Sequence, residues 1–375
     1  MKRLWTFLGA MFLMAGSAVC AQEVDSSALQ QISFSNEEQG FDVVDYIPDI
    51  SLDARYGYNR TTPGKIGGFG GDGLYLDING KISNRFSYSL NQRLTTDPGE
   101  SFFDATCWLT FAYEVGNFAF TAGKDALLVG SFEYDAYDLD SYYDMNSRFY
   151  NSFACWQWGV SASWSNDAET STLIAQVANS PFVVNPFEDN MYAYGVAWRG
   201  AWDSYESYWS LNMWEYEPGC YVKSVNLGNM FYAGGFSLML DGMARGAKVK
   251  DLLRDVTVSA MPSYEFGDRF RLFGKFGWER NDLIQPYDFT GEYAFDEEDM
   301  EELLSGEIAP SQDYLFYGAG LEFYPLKEDK SLRLHAIWAS NNDTDAHTIS
   351  IGATWKMNLT RGFKRLVGCV QQGKK

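Results

Sequence analysis

A 16-stranded antiparallel transmembrane β-barrel, all-β, with short periplasmic turns and long external loops, is what this chain predicts, on three observations. Apolar and aromatic residues recur at every second position between Asp45 and Leu359. Aromatics make up 17% of the residues, including 12 Trp and 24 Tyr, enough to build interfacial girdles at both rims of a barrel. After the first 20 residues no apolar run approaches the roughly 20 residues that a helical span needs. A mean hydropathy of -0.27 fits such a wall, because only alternate side chains of a strand meet lipid.

The chain opens on an export signal. Lys2 and Arg3 form a charged start, Leu4 to Val19 is uncharged and mostly apolar, and Val19-Cys20-Ala21 offers small residues for cleavage. Residues 1–21 are therefore read as a signal peptide, 22–44 as a short periplasmic segment, 45–359 as the barrel and 360–375 as a basic periplasmic tail. Lipidation at Cys20 is the alternative, but Ser17-Ala18-Val19 lacks the Leu common three places before a lipoprotein cysteine. Cys107, Cys155, Cys220 and Cys369 form no CxxC pair and read as small apolar residues.

Strands follow near 47–58, 73–83, 86–95, 104–114, 117–128, 153–164, 171–180 and 191–202. Eight more lie near 207–216, 219–227, 230–244, 254–265, 269–279, 313–325, 331–340 and 347–359. On one face stand Leu74, Leu76, Ile78, Phe86, Tyr88, Leu90, Gln92, Leu272, Phe276, Trp278, Leu334, Trp338, Ile349, Ile351 and Trp355, none of them charged. The interleaved positions carry Asp77, Lys81, Arg93, Arg271, Lys275, Glu279, Arg333 and Lys356. One face can thus meet lipid while the other meets water. The phase near 221–227 stays open. An even strand count puts both termini on the periplasmic side, and closure removes the sheet edge that lipid could not satisfy. Short turns are expected at Ser83-Asn84-Arg85, Gly116-Asn117, Gly228-Asn229, Gly267-Asp268 and Lys327-Glu328-Asp329-Lys330, and long loops at 59–72, 130–152 and 281–312.

Several stretches resemble a known family. Asp72-Gly-Leu-Tyr-Leu-Asp-Ile-Asn-Gly-Lys-Ile-Ser-Asn-Arg-Phe-Ser-Tyr88, Phe118-Ala-Phe-Thr-Ala-Gly-Lys124, Tyr317-Gly-Ala-Gly-Leu-Glu-Phe-Tyr-Pro-Leu326 and His347-Thr-Ile-Ser-Ile-Gly-Ala-Thr-Trp-Lys-Met-Asn-Leu359 look like the phosphate-selective porin O and P type. The resemblance covers nearly the whole mature chain and implies a passive outer-membrane channel, a homotrimer, with the third long loop, Gly130 to Ser152, folded into the lumen. In that family selectivity relies on inward Arg and Lys.

Charge placement frames the selectivity question. The formal net charge is -21, and loss of Lys2 and Arg3 with the signal makes it -23. The 281–312 loop carries ten acidic residues and no Lys or Arg, while 130–152 carries five against Arg148, so the two hold 14 of those charges. Candidate pore-lining residues are Arg55, Lys81, Arg93, Lys124, Arg199, Arg271, Lys275, Arg333 and Lys356, with Lys81 and Arg93 on adjacent strands as the favoured anion ladder. Candidate constriction residues are Glu133, Asp135, Asp138, Asp140, Asp144 and Arg148. Acidic groups at the narrowest point predict cation preference; convergence of Arg55, Arg93 and Lys124 predicts anion preference. Gly123, Ala178, Gly195, Gly277, Gly318, Gly320 and Gly352 are read as leaving lumen space.

Other motifs carry less. Asp296-Glu-Glu-Asp-Met-Glu-Glu302 looks like a short helix, lacks the alternation and central Gly of a calcium loop, and reads as a solvated acidic loop. Gly67-Gly-Phe-Gly-Gly-Asp-Gly73 lacks the Lys and Ser/Thr of a phosphate loop and reads as a flexible external segment. His335 and His347, with Ser340 or Ser259, assemble no nucleophile, base and orienting group at workable spacing, so no enzyme is predicted. No cofactor, metal or nucleic-acid partner is called for; the partners are outer-membrane lipid and small hydrophilic solutes and ions. The second reading is a non-conducting outer-membrane barrel whose acidic and aromatic loops bind a partner or glycan, and a third is a secreted soluble β-protein.

Overall fold

Sixteen antiparallel strands close on themselves in the computed structural model, which describes residues 46–62, 66–95, 101–183, 189–280, 313–326, 329–342, 347–361 and 364. The strands are β1 (Asp49–Thr62), β2 (Ile66–Lys81), β3 (Phe86–Arg93), β4 (Thr106–Val115), β5 (Phe118–Ala126), β6 (Trp156–Ser165), β7 (Ser171–Asn179) and β8 (Tyr192–Trp202). They continue as β9 (Tyr205–Glu217), β10 (Cys220–Ala233), β11 (Phe236–Gly246), β12 (Asp255–Phe266), β13 (Phe270–Arg280), β14 (Tyr314–Phe323), β15 (Leu332–Asn341) and β16 (His347–Asn358). Each pairs with its sequence neighbours, and β1 meets β16 from Ser51 opposite Asn358 to Thr62 opposite His347. The expected signal peptide, the segment 22–44, the acidic 281–312 loop and most of the tail lie outside the described residues.

The alternation read from sequence is the wall. Val160, Val196, Leu211, Phe276 and Ile351 point outward and are each more than half exposed, whereas Thr172, Asn226 and Glu322 point inward and are fully buried. Apolar outside and polar inside is the reverse of a water-soluble protein and matches a lipid-facing wall. Aromatics crowd the short-turn rim: Phe86 packs on Tyr113, Trp202 on Tyr205, Tyr264 on Phe266, and Phe270 on Phe323. Such rings, apolar in body and polar at the tip, suit a membrane–water boundary.

Three local expectations change. The glycine-rich 67–73 stretch is strand rather than flexible loop: Gly67 to Gly71 pair with Arg60 to Tyr56, lengthening the β1–β2 hairpin beyond a bulge at Arg55/Tyr56. Gly228-Asn229 is not a turn; both residues lie within β10, and the reversal comes at Gly234-Gly235, where Gly234 adopts φ +60°, a conformation open to Gly without steric cost. β10 then has a definite phase, with Val222, Ser224, Asn226, Gly228 and Met230 inward and Leu227 and Phe231 outward. Gln92, assigned to the lipid face, is buried and accepts a 2.7 Å bond from Thr106 Oγ1 beside a register shift between β3 and β4.

The lumen has a packed interior. Residues 127–155, between β5 and β6, run inside the barrel and form the centres of its apolar clusters. Leu127, Val129, Phe149 and Phe153 meet Trp214, Val222 and Met243, while Met145 meets Phe273, Ile337 and Ala339.

Candidate functional site: the inward loop and the wall that holds it

The loop leaves β5 under a clamp from the wall. Gln176 of β7 accepts from Leu128 N–H at 2.9 Å and donates to Ala126 O at 2.9 Å, replacing the strand partners that the departing backbone loses. Gly130 N–H then donates to Ser210 Oγ at 2.8 Å; a Cβ at Gly130 would strike the backbone of Trp209 and Ser210, so only Gly permits this approach.

Two short helices follow. Ser131 caps α1 (Phe132–Asp135) and Ser147 caps α2 (Arg148–Ser152), each accepting from the third N–H onward. The wall supplies carboxylates to the same ends. Asp241 accepts from Ser131 Oγ at 2.8 Å and Glu133 N–H at 2.7 Å, and Glu279 accepts from Arg148 N–H at 2.8 Å and Phe149 N–H at 3.2 Å. Glu279 is in turn paired with Arg245 at 3.4 Å, whose guanidinium also meets Asp255 at 2.8 Å and lies over the Phe149 ring.

The predicted wall cations and loop carboxylates meet one another. Lys275 pairs with Glu133 at 2.6 Å and contacts Asn146 Oδ1, while Glu133 also accepts from Ser147 Oγ and N–H. Arg199 holds Asp135 through two nitrogens, at 2.5 and 2.9 Å, and stacks on Tyr208. Arg333 and Lys356 share Asp140 at 2.9 and 2.7 Å. Arg55 donates to the carbonyls of Leu139 and Ser141, the second at 2.8 Å. Arg271 reaches the loop indirectly: it pairs with Glu322 at 3.1 Å, which accepts from Tyr142 OH at 2.8 Å. Arg148 lies over the Tyr314 ring, and Asp144, on the turn Tyr143–Met145, is exposed. Asp138 belongs to the preceding turn, Asp138–Asp140.

Two expectations about pore-lining residues do not survive. Lys81 stands opposite Ser87 and Arg93 opposite Tyr75, six residues apart along β2, or about 20 Å at strand rise, so the two form no adjacent ladder. Lys124 continues the outward series of Phe118, Phe120 and Ala122; its ammonium donates to Phe103 O at 2.7 Å outside the lumen. Nearby, Ser101 donates from its hydroxyl and N–H to Asp104 and holds that carboxyl below the usual range; two bonds from Arg280 do the same for Asp313.

The wall glycines are occupied rather than open. A Cβ at Gly73 would meet Leu139, at Gly195 Leu128, at Gly228 Ser131 and at Gly318 Met145. Each small residue receives a side chain or backbone atom of the inward loop. Between the loop and the wall lies a cavity of about 280 Å³, lined by residues that include Trp108, Asp125, Tyr134, Tyr150, Trp156 and Tyr208. Arg245 and Asp241 were missed in sequence; the inward alternation of Met239, Asp241, Met243 and Arg245 on β11 was the available signal.

The closed barrel resembles solved porins in fold. A mutant of the Rh. blastica porin superposes with a TM-score of 0.54 at 11% identity, covering 83% of this chain and 100% of that one. A loop-deletion mutant of OmpT, an outer membrane protein of Vibrio cholerae, gives 0.55 at 11%, covering 83% and 99%. Identity this low shows a shared fold. No family model matches the chain, and no curated protein matches it.

Proposed function

We propose that the chain is an outer-membrane porin, a passive channel for ions and small hydrophilic solutes, exported by a cleaved signal peptide. One observation supports this reading: an apolar outer wall encloses a polar interior into which residues 127–155 fold, with a cavity of about 280 Å³ beside the loop. Field lines from polar walls in a low-dielectric shell act on any ion that enters.

Phosphate selectivity is the finer expectation, and the ion pairs argue against it. Arg199, Lys275, Arg333 and Lys356 each face a loop carboxylate at 2.9 Å or closer, which spends the charge an anion ladder would need. With the chain at -21 overall, and -23 once the signal is lost, cations are the favoured permeants. A homotrimer would use the outward face of β4 to β9, where Ala122, Ala162 and Ala175 sit low between Phe111, Phe120 and Leu211 and form a groove of about 980 Å³.

The test is a planar bilayer holding the refolded protein, with conductance and reversal potential measured across a salt gradient and with added phosphate. Discrete steps with cation preference support the proposal. Anion preference with phosphate block would assign the selectivity to Arg55, Arg93 and their neighbours, and silence from a folded barrel would favour an anchored binding protein.

A further inference from the structure

The cavity beside the loop has a chemistry of its own. Part of its polar lining is already engaged, beside the hydroxyls of Thr121, Ser161 and Ser163. Gln176 uses both ends on the loop backbone, Arg199 is taken by Asp135, Tyr134 OH donates to Phe153 O at 3.2 Å, and Trp108 Nε1 donates to Ser89 Oγ at 2.8 Å. Tyr137 OH accepts from Asn91 at 3.3 Å.

Asp125 is different. Its carboxylate accepts from the N–H of Ala126 at 2.8 Å and, among the described residues, forms no ion pair. The charged groups on the cavity wall are Asp125, Asp135 and Arg199, which sum to a single negative charge. A carboxylate withdrawn from bulk water and left without a cation is costly, and the cost is relieved when a cation enters.

The remaining surface selects the kind of cation. Calcium needs six or more oxygen ligands, and one carboxylate among rings cannot supply them. A neutral sugar needs many paired donors and acceptors, and beyond the hydroxyls of Thr121, Ser161 and Ser163 the wall and loop have engaged most of those present. Rings of Trp108, Trp156, Tyr134 and Tyr150 offer instead negative faces and apolar contact, the surroundings that hold alkylated ammonium groups.

We propose that this cavity binds a small organic cation, an ammonium or quaternary ammonium group with an apolar body, through Asp125 and the surrounding rings. The proposal stands on cavity chemistry and not on conduction, so a silent bilayer would leave it in place. Isothermal titration of the refolded full chain in detergent micelles would compare choline with its neutral isostere, 3,3-dimethylbutan-1-ol. The expected result is saturable choline binding at least tenfold tighter than the alcohol, with Asp125→Asn bringing choline down to the alcohol's level. Equal affinity for the two probes, no binding of either, or choline binding unchanged in a folded Asp125→Asn variant would overturn it. The comparison of probes on the unaltered chain decides the matter even if the variant does not fold.

Discussion

Glu133→Gln should release the inward loop. Glu133 and Lys275 are 1% and 5% exposed at their side chains and 2.6 Å apart, so this is a buried pair and not a surface one. Removing one partner of a buried pair costs about 3–5 kcal/mol, because the other charge is left without compensation. Two features pull the value to the low end: Gln can still accept from Ser147, and Lys275 keeps its contact with Asn146. About 3 kcal/mol corresponds to roughly a hundredfold rise in the population of loop-released barrels, at 1.4 kcal/mol per decade. Native-state chymotrypsin digestion reads that population, since Phe149 and Tyr150 become cleavable only when the loop leaves the lumen. Lys275→Met alone should also accelerate cleavage, whereas the double variant should cleave more slowly than Glu133→Gln because no orphaned charge remains. Strictly additive effects, or a change below about threefold in either single variant, would mean the pair behaves as if solvated and the reasoning is wrong.

Gly130→Ala should loosen the same loop by a steric route: the new Cβ meets the Trp209 and Ser210 backbone, an overpacking cost of about 1–3 kcal/mol that speeds digestion without altering the heat-resistant migration of the barrel. Arg199→Lys, though conservative in charge, loses the two-point contact with Asp135 and the stack on Tyr208; digestion about tenfold faster is expected, and an unchanged rate would show the stack to be incidental. Gly73→Val places branched carbon against Leu139 and should raise bilayer conductance by displacing the Asp138–Asp140 turn; conductance equal to that of the unaltered chain would count against a fitted interior.

The wall was legible because a strand's two-residue period writes itself directly into sequence: Arg271, Phe273, Lys275 and Glu279 face inward as read, with Leu272 and Phe276 outward. The interior was far less legible. Lys275 and Glu133 are 142 residues apart, and no local pattern announces that one neutralises the other. Glycines misled for the same reason. Gly228 looks like a turn signal next to Asn229, yet it is small so that Ser131 can approach, and the actual turn lies six residues on. The glycine-rich 67–73 stretch likewise keeps extended pairing, because backbone bonds to β1 need no side chains. For Lys124, alternation from Phe118 and Phe120 is the better guide, since it sends the side chain outward, where the structure has it.

The turn at Leu139–Ser141 touches the three strands β15, β16 and β1, which are the last two and the first of the chain. Arg333 and Arg55 both stand opposite Thr354, one from each side, and the carbonyl of Leu139 accepts from both guanidiniums while Asp140 takes Arg333 and Lys356. Those partners lie in one row only after β16 has joined β1. Before that seam is zipped, the turn lacks the full set of groups it grips. The full grip on this turn therefore exists only in the closed ring. An incompletely zipped barrel would hold the turn by fewer contacts, with Arg55 parted from Thr354 while Arg333 keeps Glu322 on β14.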